Sequence, residues 1–215
     1  LCAILDNEEN QLRLWERSHD DDDFLNIRLG LGRRPFEVQL KIPRQGFHLY
    51  EDELRNLPDE LYKKYSVLEN VPLTVDLYNN HTIGLIGSKK NMFTILSEII
   101  LNIVSLHPYD EVKLVLVISE KQMKDFNLFK NIPHVWSNDK KIRFFATNSE
   151  EVHYIFSYLD ERIKERIQDN NKCKVKIPYY VVIATEPDLI EKEALQRYLC
   201  DSENKAGVTT LFAYG

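Results

Sequence analysis

Cysteine is scarce in this chain: Cys2, Cys173 and Cys200 are three, odd in number and widely spaced. That spacing argues for neither a disulfide framework nor a zinc knuckle, and it fits a reducing, cytosolic setting. Positive charge is also in deficit, with 28 Lys and Arg against 34 Asp and Glu and a net charge of -6. A nucleic-acid groove made by this chain alone is therefore disfavoured. No apolar run approaches the ~18 to 20 residues that cross a bilayer. The chain opens at Leu1 without an initiator methionine or a leader, so it reads as an excised piece of a longer polypeptide. Internal repeats, low-complexity tracts, an H-E-x-x-H spacing among the six histidines, a G-x-S-x-G elbow and a Cys-His pairing are all missing. The histidines are accordingly expected in surface or turn roles, and hydrolase chemistry has no support.

What is present is a 215-residue chain, 43% hydrophobic and 29% charged, long enough to bury a full core. Residues 1–70 read as a β-rich segment with a short helix. Ile27, Leu29 and Leu31 alternate with polar residues or glycine, as do Phe36, Val38, Leu40 and Ile42, and Gly30, Gly32 and Pro35 between them predict a hairpin. A helix is expected over Asp52 to Tyr65, with Leu54, Leu57 and Leu61. The acidic run from Asp20 to Asp23 lacks the alternating ligands and central glycine of a calcium loop and reads as a solvated turn.

From residue 71 to 215 strands alternate with helices, which predicts an α/β core with a mostly parallel sheet flanked by helices. Strands are expected at Thr82 to Ile86, Val112 to Ile118, Ile142 to Ala146, Tyr179 to Ala184 and Thr209 to Ala213. Helices are expected at about Met92 to Leu106, Glu150 to Gln168 and Ile190 to Cys200, the second started by Asn148 and Glu151 at capping-box spacing. Trp15 and Trp136 sit among apolar neighbours and are read as core.

The strand Thr82 to Ile86 runs into Gly87, a polar stretch and an amphipathic helix, the layout of a phosphate-binding loop. Counting G-x-x-x-x-G-K-[ST] from Gly87 puts Met92 at the second glycine, Phe93 at the lysine and Thr94 at the magnesium ligand; only Thr94 fits. The later buried strand, where such ATPases carry a metal-holding acid and a catalytic base, ends in Ala184 and Thr185, with Glu186 and Asp188 on the following loop. Two halves of an ATPase site are thus degenerate, and no catalytic residue is assigned. Gly87, Ser88, Lys89, Lys90, Asn91 and Thr94 remain candidates for a vestigial nucleotide-binding loop, because two lysines at a helix start could hold an anion. No metal site is assigned.

Leu14-Trp15-Glu16-Arg17, the tract Asp23 to Gly32, Pro133-His134-Val135-Trp136 and Arg143 to Asn148 resemble the membrane-bound ATPases of bacterial type VII secretion, the EssC/YukB/EccC family. The resemblance covers nearly the whole chain. It implies a P-loop NTPase-like, RecA/FtsK-type domain lying between the transmembrane helices and a series of FtsK/SpoIIIE-type motor domains, on the cytoplasmic side of the membrane. It further implies no cofactor for this domain, with ATP and Mg in the parent protein's other domains. The partners implied are other domains of the same motor, type VII membrane components and WXG-type secreted proteins, with no nucleic acid and the membrane reached only through flanking helices. The expected role is a non-catalytic coupling domain. Two other readings stand beside it. One is a weak nucleotide-binding regulatory domain, or an unconventional ATPase that borrows a lysine from the loop or residues such as Arg17, Arg33 or Arg34 from a neighbouring subunit; the other is a DNA-translocase module, which the acidic charge disfavours.

Overall fold

The computed structural model describes residues 14–37, 56–168, 175–193, 196–199 and 206–214. Two compact units are present, one formed by residues 28–75 and the other by the rest. In the smaller unit β1 (Asn26–Pro35) pairs antiparallel with β2 (Val67–Asp76), and α1 (Leu57–Tyr65) precedes β2. The alternation of Ile27, Leu29 and Leu31 does mark a strand, yet Leu29 and Leu31 are exposed. Among the described residues the strand's partner is β2, and the Phe36 N–H donates to Ser66 O at 2.9 Å; the rest of the Phe36 to Ile42 run expected to complete a hairpin is not described. Val38, Leu40, Ile42, and Asp52 to Arg55 of the expected helix, lie outside the described residues.

The border expected after Asn70 falls inside β2, which runs unbroken from Val67 to Asp76. Pairing with β1 holds that strand together across the change in sequence pattern. Residues ahead of β1 belong with the larger unit for an equally local reason. The Trp15 and Arg17 N–H groups donate to Ser105 O and Leu106 O at 2.9 Å each, and the Leu25 N–H donates to His107 Nε2 at 3.0 Å.

The larger unit is built on five parallel strands in the order β3 (Thr82–Ile86), β7 (Val208–Tyr214), β6 (Tyr179–Ala184), β4 (Val112–Val117) and β5 (Phe145–Ala146). Every residue of β4 and β6 is buried, as the continuous apolar runs predict for strands covered on both faces. The edge strand β3 instead alternates between exposed and half-buried residues. One face is covered by α4 (Ser149–Gln168), whose Val152, Ile155, Phe156, Leu159 and Ile163 pack with Val115, Val117, Val182 and Ala184. Ile167, expected on that face, is 39% exposed. The apolar row of α2 (Lys89–Leu106), namely Met92, Leu96, Ile99, Ile100, Ile103 and Val104, is buried but outside that cluster, as befits a helix on the opposite face. Between β4 and β5 the chain makes short helical turns, including α3 (Met123–Phe126). Between β6 and β7 the described helix is only the short α5 (Gln196–Leu199).

The start of α4 follows its sequence signal: Asn148 Oδ1 accepts the Glu151 N–H at 3.0 Å, while Glu151 Oε2 accepts the Thr147 N–H at 2.7 Å. A side-chain cap of this kind contributes about 1 kcal/mol. Three sequence expectations change. Trp15 is 41% exposed and donates from Nε1 to Val104 O at 3.1 Å, because its ring closes over the end of α2 from outside. Trp136 is only half-buried, with the Arg143 guanidinium 4.5 Å from its ring centre. His107 and His134, expected in surface or turn roles, are 0% and 1% exposed.

Candidate functional site: a phosphate loop filled by side chains

Ligands of parallel α/β sheets bind beyond the carboxyl ends of the strands, and a cavity of about 490 Å³ opens there. It lies between the start of α2, the ends of β6 and β7, and the segment after β4. Lys89, Met92, Phe93, Ser119, Thr185, Glu186 and Asp188 are among its lining residues. The structure therefore brings together both degenerate segments identified in the sequence.

Within this cavity the phosphate cradle does not form. β3 ends at Ile86 and α2 begins at Lys89, so Gly87 and Ser88 alone join strand to helix. The Met92 N–H already donates to Ser88 O at 2.9 Å, closing the first helical turn where a phosphate loop would still be wrapping its ligand. Met92, at the second-glycine position, is 4% exposed, and its Sδ lies 3.8 Å from where a Cβ on Gly87 would stand. Phe93, at the lysine position, stacks edge-on against Phe126 with ring centres 5.2 Å apart. Apolar side chains thus stand at the motif positions of the second glycine and the lysine.

The remaining candidates divide. Lys89 lines the cavity; Gly87, Ser88, Lys90 and Asn91 are exposed at the helix start. Ser88 makes no side-chain cap, and no acidic residue stands in the first turn, so two lysines face the positive end of the helix dipole uncompensated. Thr94 does not take up the magnesium position that its place in the motif suggested. One turn of helix has replaced the loop, and this rotates Thr94 to the exposed side of α2, where its Oγ1 donates to Lys90 O at 3.1 Å. Ala184 is buried at the end of β6, and Thr185 accepts the Ser119 N–H on its Oγ1 at 3.0 Å. That hydroxyl ties two strand ends together. Glu186 and Asp188 are exposed at the rim. Ser119, Lys121 and Gln122 were not anticipated from the sequence; their position just after a buried central strand is the signal that could have found them.

The arginines considered as fingers are engaged locally. Arg17 pairs with Asp23 at 2.9 Å and donates to Asn26 O at 2.7 Å, Arg33 pairs with Glu69 at 2.9 Å, and Arg34 with Glu37 at 2.7 Å. Among the described residues no group of three or more His, Cys, Asp or Glu could hold a metal ion, and no helix is long and apolar enough to cross a membrane.

No protein-family model matches the chain. Similarity to curated proteins is nevertheless extensive. The ESX secretion system protein EccC of Geobacillus thermodenitrificans is 25% identical over 203 residues, which is 94% of this chain and 14% of that protein. YukB of Bacillus subtilis gives the same identity and coverage, and the type VII secretion protein EssC of Staphylococcus aureus is 25% identical over 206 residues, 93% of this chain. The chain thus spans about a seventh of the length of these relatives. Among solved structures, the cytoplasmic domain of Thermomonospora curvata EccC matches with a TM-score of 0.51 over 67% of this chain and 17% of that one, at 9% identity. Its ATPases 2 and 3, solved with a signal sequence peptide, match with a TM-score of 0.50 over 94% of this chain and 31% of that one, at 8% identity. At such low identities these structures establish the fold alone, a parallel five-strand sheet flanked by helices like that of the EccC ATPase domains. Over nine-tenths of its length the chain is similar to the EccC/YukB/EssC type VII secretion proteins.

Proposed function

We propose that this domain is a pseudo-ATPase on the cytoplasmic side of the membrane, coupling the membrane anchor of its parent protein to the FtsK/SpoIIIE-type ATPase domains that drive export of WXG-type proteins. The observation that supports this reading is that Met92 and Phe93 stand at the motif's glycine and lysine positions, inside a helix that begins two residues after β3. Positioning and charge neutralisation supply most phosphoryl-transfer catalysis, and neither is available here. The hydrophobic framework is complete while the chemistry is gone, which fits a unit kept for its shape and its surfaces. ATP and Mg act in the other domains of the parent. The partners are those domains, the membrane components of the secretion system and its exported proteins.

The test is isothermal titration of the 215-residue chain with ATP and magnesium to millimolar nucleotide, alongside a Lys89→Ala, Lys90→Ala double variant and a hydrolysis assay. The expected result is no hydrolysis and no nucleotide binding that the double variant removes. Saturable binding lost in that variant, or turnover above background, overturns the reading in favour of a nucleotide-sensing regulatory domain.

A further inference from the structure

A second cavity lies at the opposite, amino ends of β4 and β6. It measures about 440 Å³, and its walls include Lys113, Arg166, Phe144, Tyr158 and Tyr180. Lys113 interrupts an otherwise apolar strand and is 1% exposed. Its Nζ stands 5.5 Å from the centre of the Tyr109 ring. Asp110 is the acidic group whose field acts on it, yet among the described residues no carboxylate forms an ion pair with Lys113. Burial pulls its pKa down to about 8, which still leaves a cation at neutral pH. Arg166 holds its guanidinium 4.9 Å from the Tyr180 ring centre, and its Nη1 is buried without a hydrogen-bond partner.

The acidic residues of the same cavity are already committed. Glu165 pairs with Arg162 at 3.4 Å; Asp139 accepts the Ser137 hydroxyl at 2.6 Å and lies 3.7 Å from Lys141. Among the described residues Lys113 and Arg166 are therefore left without an anion, and buried charge without a partner is costly. A ligand that supplies negative charge removes that cost. Ring walls on Phe144 and Tyr180, perpendicular at 6.0 Å between centres, leave the polar contacts to the two cations.

We propose that this cavity is an oxyanion-binding site for a small phosphate- or carboxylate-bearing molecule, held by Lys113 and Arg166. The site is independent of the coupling role, since it lies at the other end of the sheet from Lys89.

The experiment titrates the 215-residue chain with inorganic phosphate, pyrophosphate and citrate, followed by calorimetry and by backbone amide NMR shifts. Saturable binding is expected, with shifts at Lys113, Ser137 and Tyr180 and none at Lys89 to Asn91. Lys113→Met and Arg166→Gln should each weaken binding by roughly tenfold or more, as loss of one charge-assisted contact does. The Lys89→Ala, Lys90→Ala variant should bind as the parent does. Pyrophosphate binding above citrate assigns a phosphate ligand and the reverse assigns a carboxylate; either supports the site. Lys113→Met is expected to melt no lower than the parent, because an unpaired buried charge is replaced by a methionine of similar length. If a variant does not fold, the amide shifts of the parent chain decide. No saturable binding of any probe, shifts confined to Lys89 to Asn91, or undiminished affinity in folded Lys113→Met overturns the proposal. Failure here leaves the pseudo-ATPase reading intact, whereas ATP binding that depends on Lys89 and Lys90 would overturn that reading and leave this one standing.

Discussion

The two ends of the large sheet differ in how their charges are balanced. At the carboxyl ends Lys89, Lys121, Glu186 and Asp188 line a cavity of mixed sign, in which Met92 and Phe93 present sulfur and an aromatic ring at the motif's glycine and lysine positions. At the amino ends, where the fold needs only packing, Lys113, Arg166, His107 and His134 are wholly or partly buried. A fold dictates where strands end but not which end carries the polar groups. Recognising the architecture therefore locates a cavity without saying what occupies it.

Acidification should strike the amino end hardest. Burial is the main cause holding His107 and His134 down at about 4, against 6.5 for a free histidine. Both are neutral when folded, and the unfolded chain takes up protons first. Their contribution to stability is complete above about pH 6.5 and is lost as pH falls from there toward 4, on the order of 3 kcal/mol per histidine. Urea unfolding at pH 7 and pH 4.5 measures the loss. His134→Gln keeps a donor for His107 O, which His134 Nε2 contacts at 2.9 Å, and should flatten the pH profile.

Restoring the motif tests the carboxyl end. Met92→Gly with Phe93→Lys recreates the glycine and lysine of a phosphate loop, yet the helix already starts at Lys89. The double variant should lose roughly 3 kcal/mol through a vacated buried site and a glycine inside a helix. It should gain no ATP affinity by calorimetry. Tight ATP binding would show that side-chain identity, and not loop length, disabled the site.

The two helix starts at this end offer smaller contrasts. Asn148→Ala removes the cap of α4 and should cost about 1 kcal/mol, lowering the thermal midpoint by roughly 2–4 °C. At α2 the sign reverses: Lys89→Ala with Lys90→Ala removes like charge from a dipole's positive end and should stabilise by ~0.3–1 kcal/mol at low salt. That gain should vanish near 1 M salt, where screening is complete within about 3 Å.

Much of this was legible from residue order. The continuous apolar runs of β4 and β6 announced central strands, and Asn148 with Glu151 announced the start of α4. The motif count named Met92 and Phe93, and both do reach the cavity. What stayed hidden depends on neighbours distant in sequence. Lys113 is passed over inside the long run Val112 to Ile118, and only the fold sets Tyr180 of β6 beside it at the same cavity. His107 looks like a turn residue until the chain some eighty positions earlier offers the Leu25 N–H to its ring. The pairing of β1 with β2 is not legible because α1 and some thirty residues separate the two strands in sequence. Thr94 misled because a motif count assumes the loop it is counting through, and a helix in that place rotates each later side chain.

The junction at Gly87 and Ser88 also has a mechanical meaning. Motor domains convert fuel into movement through compliant loops that rearrange when phosphate arrives or leaves. Here α2 is joined to β3 by two residues and pinned along its length by Met92, Leu96, Ile99 and Ile103. Strand and helix thus follow one another with no loop between them that could wrap a phosphate, so at this junction the segment that rearranges in such motors is absent.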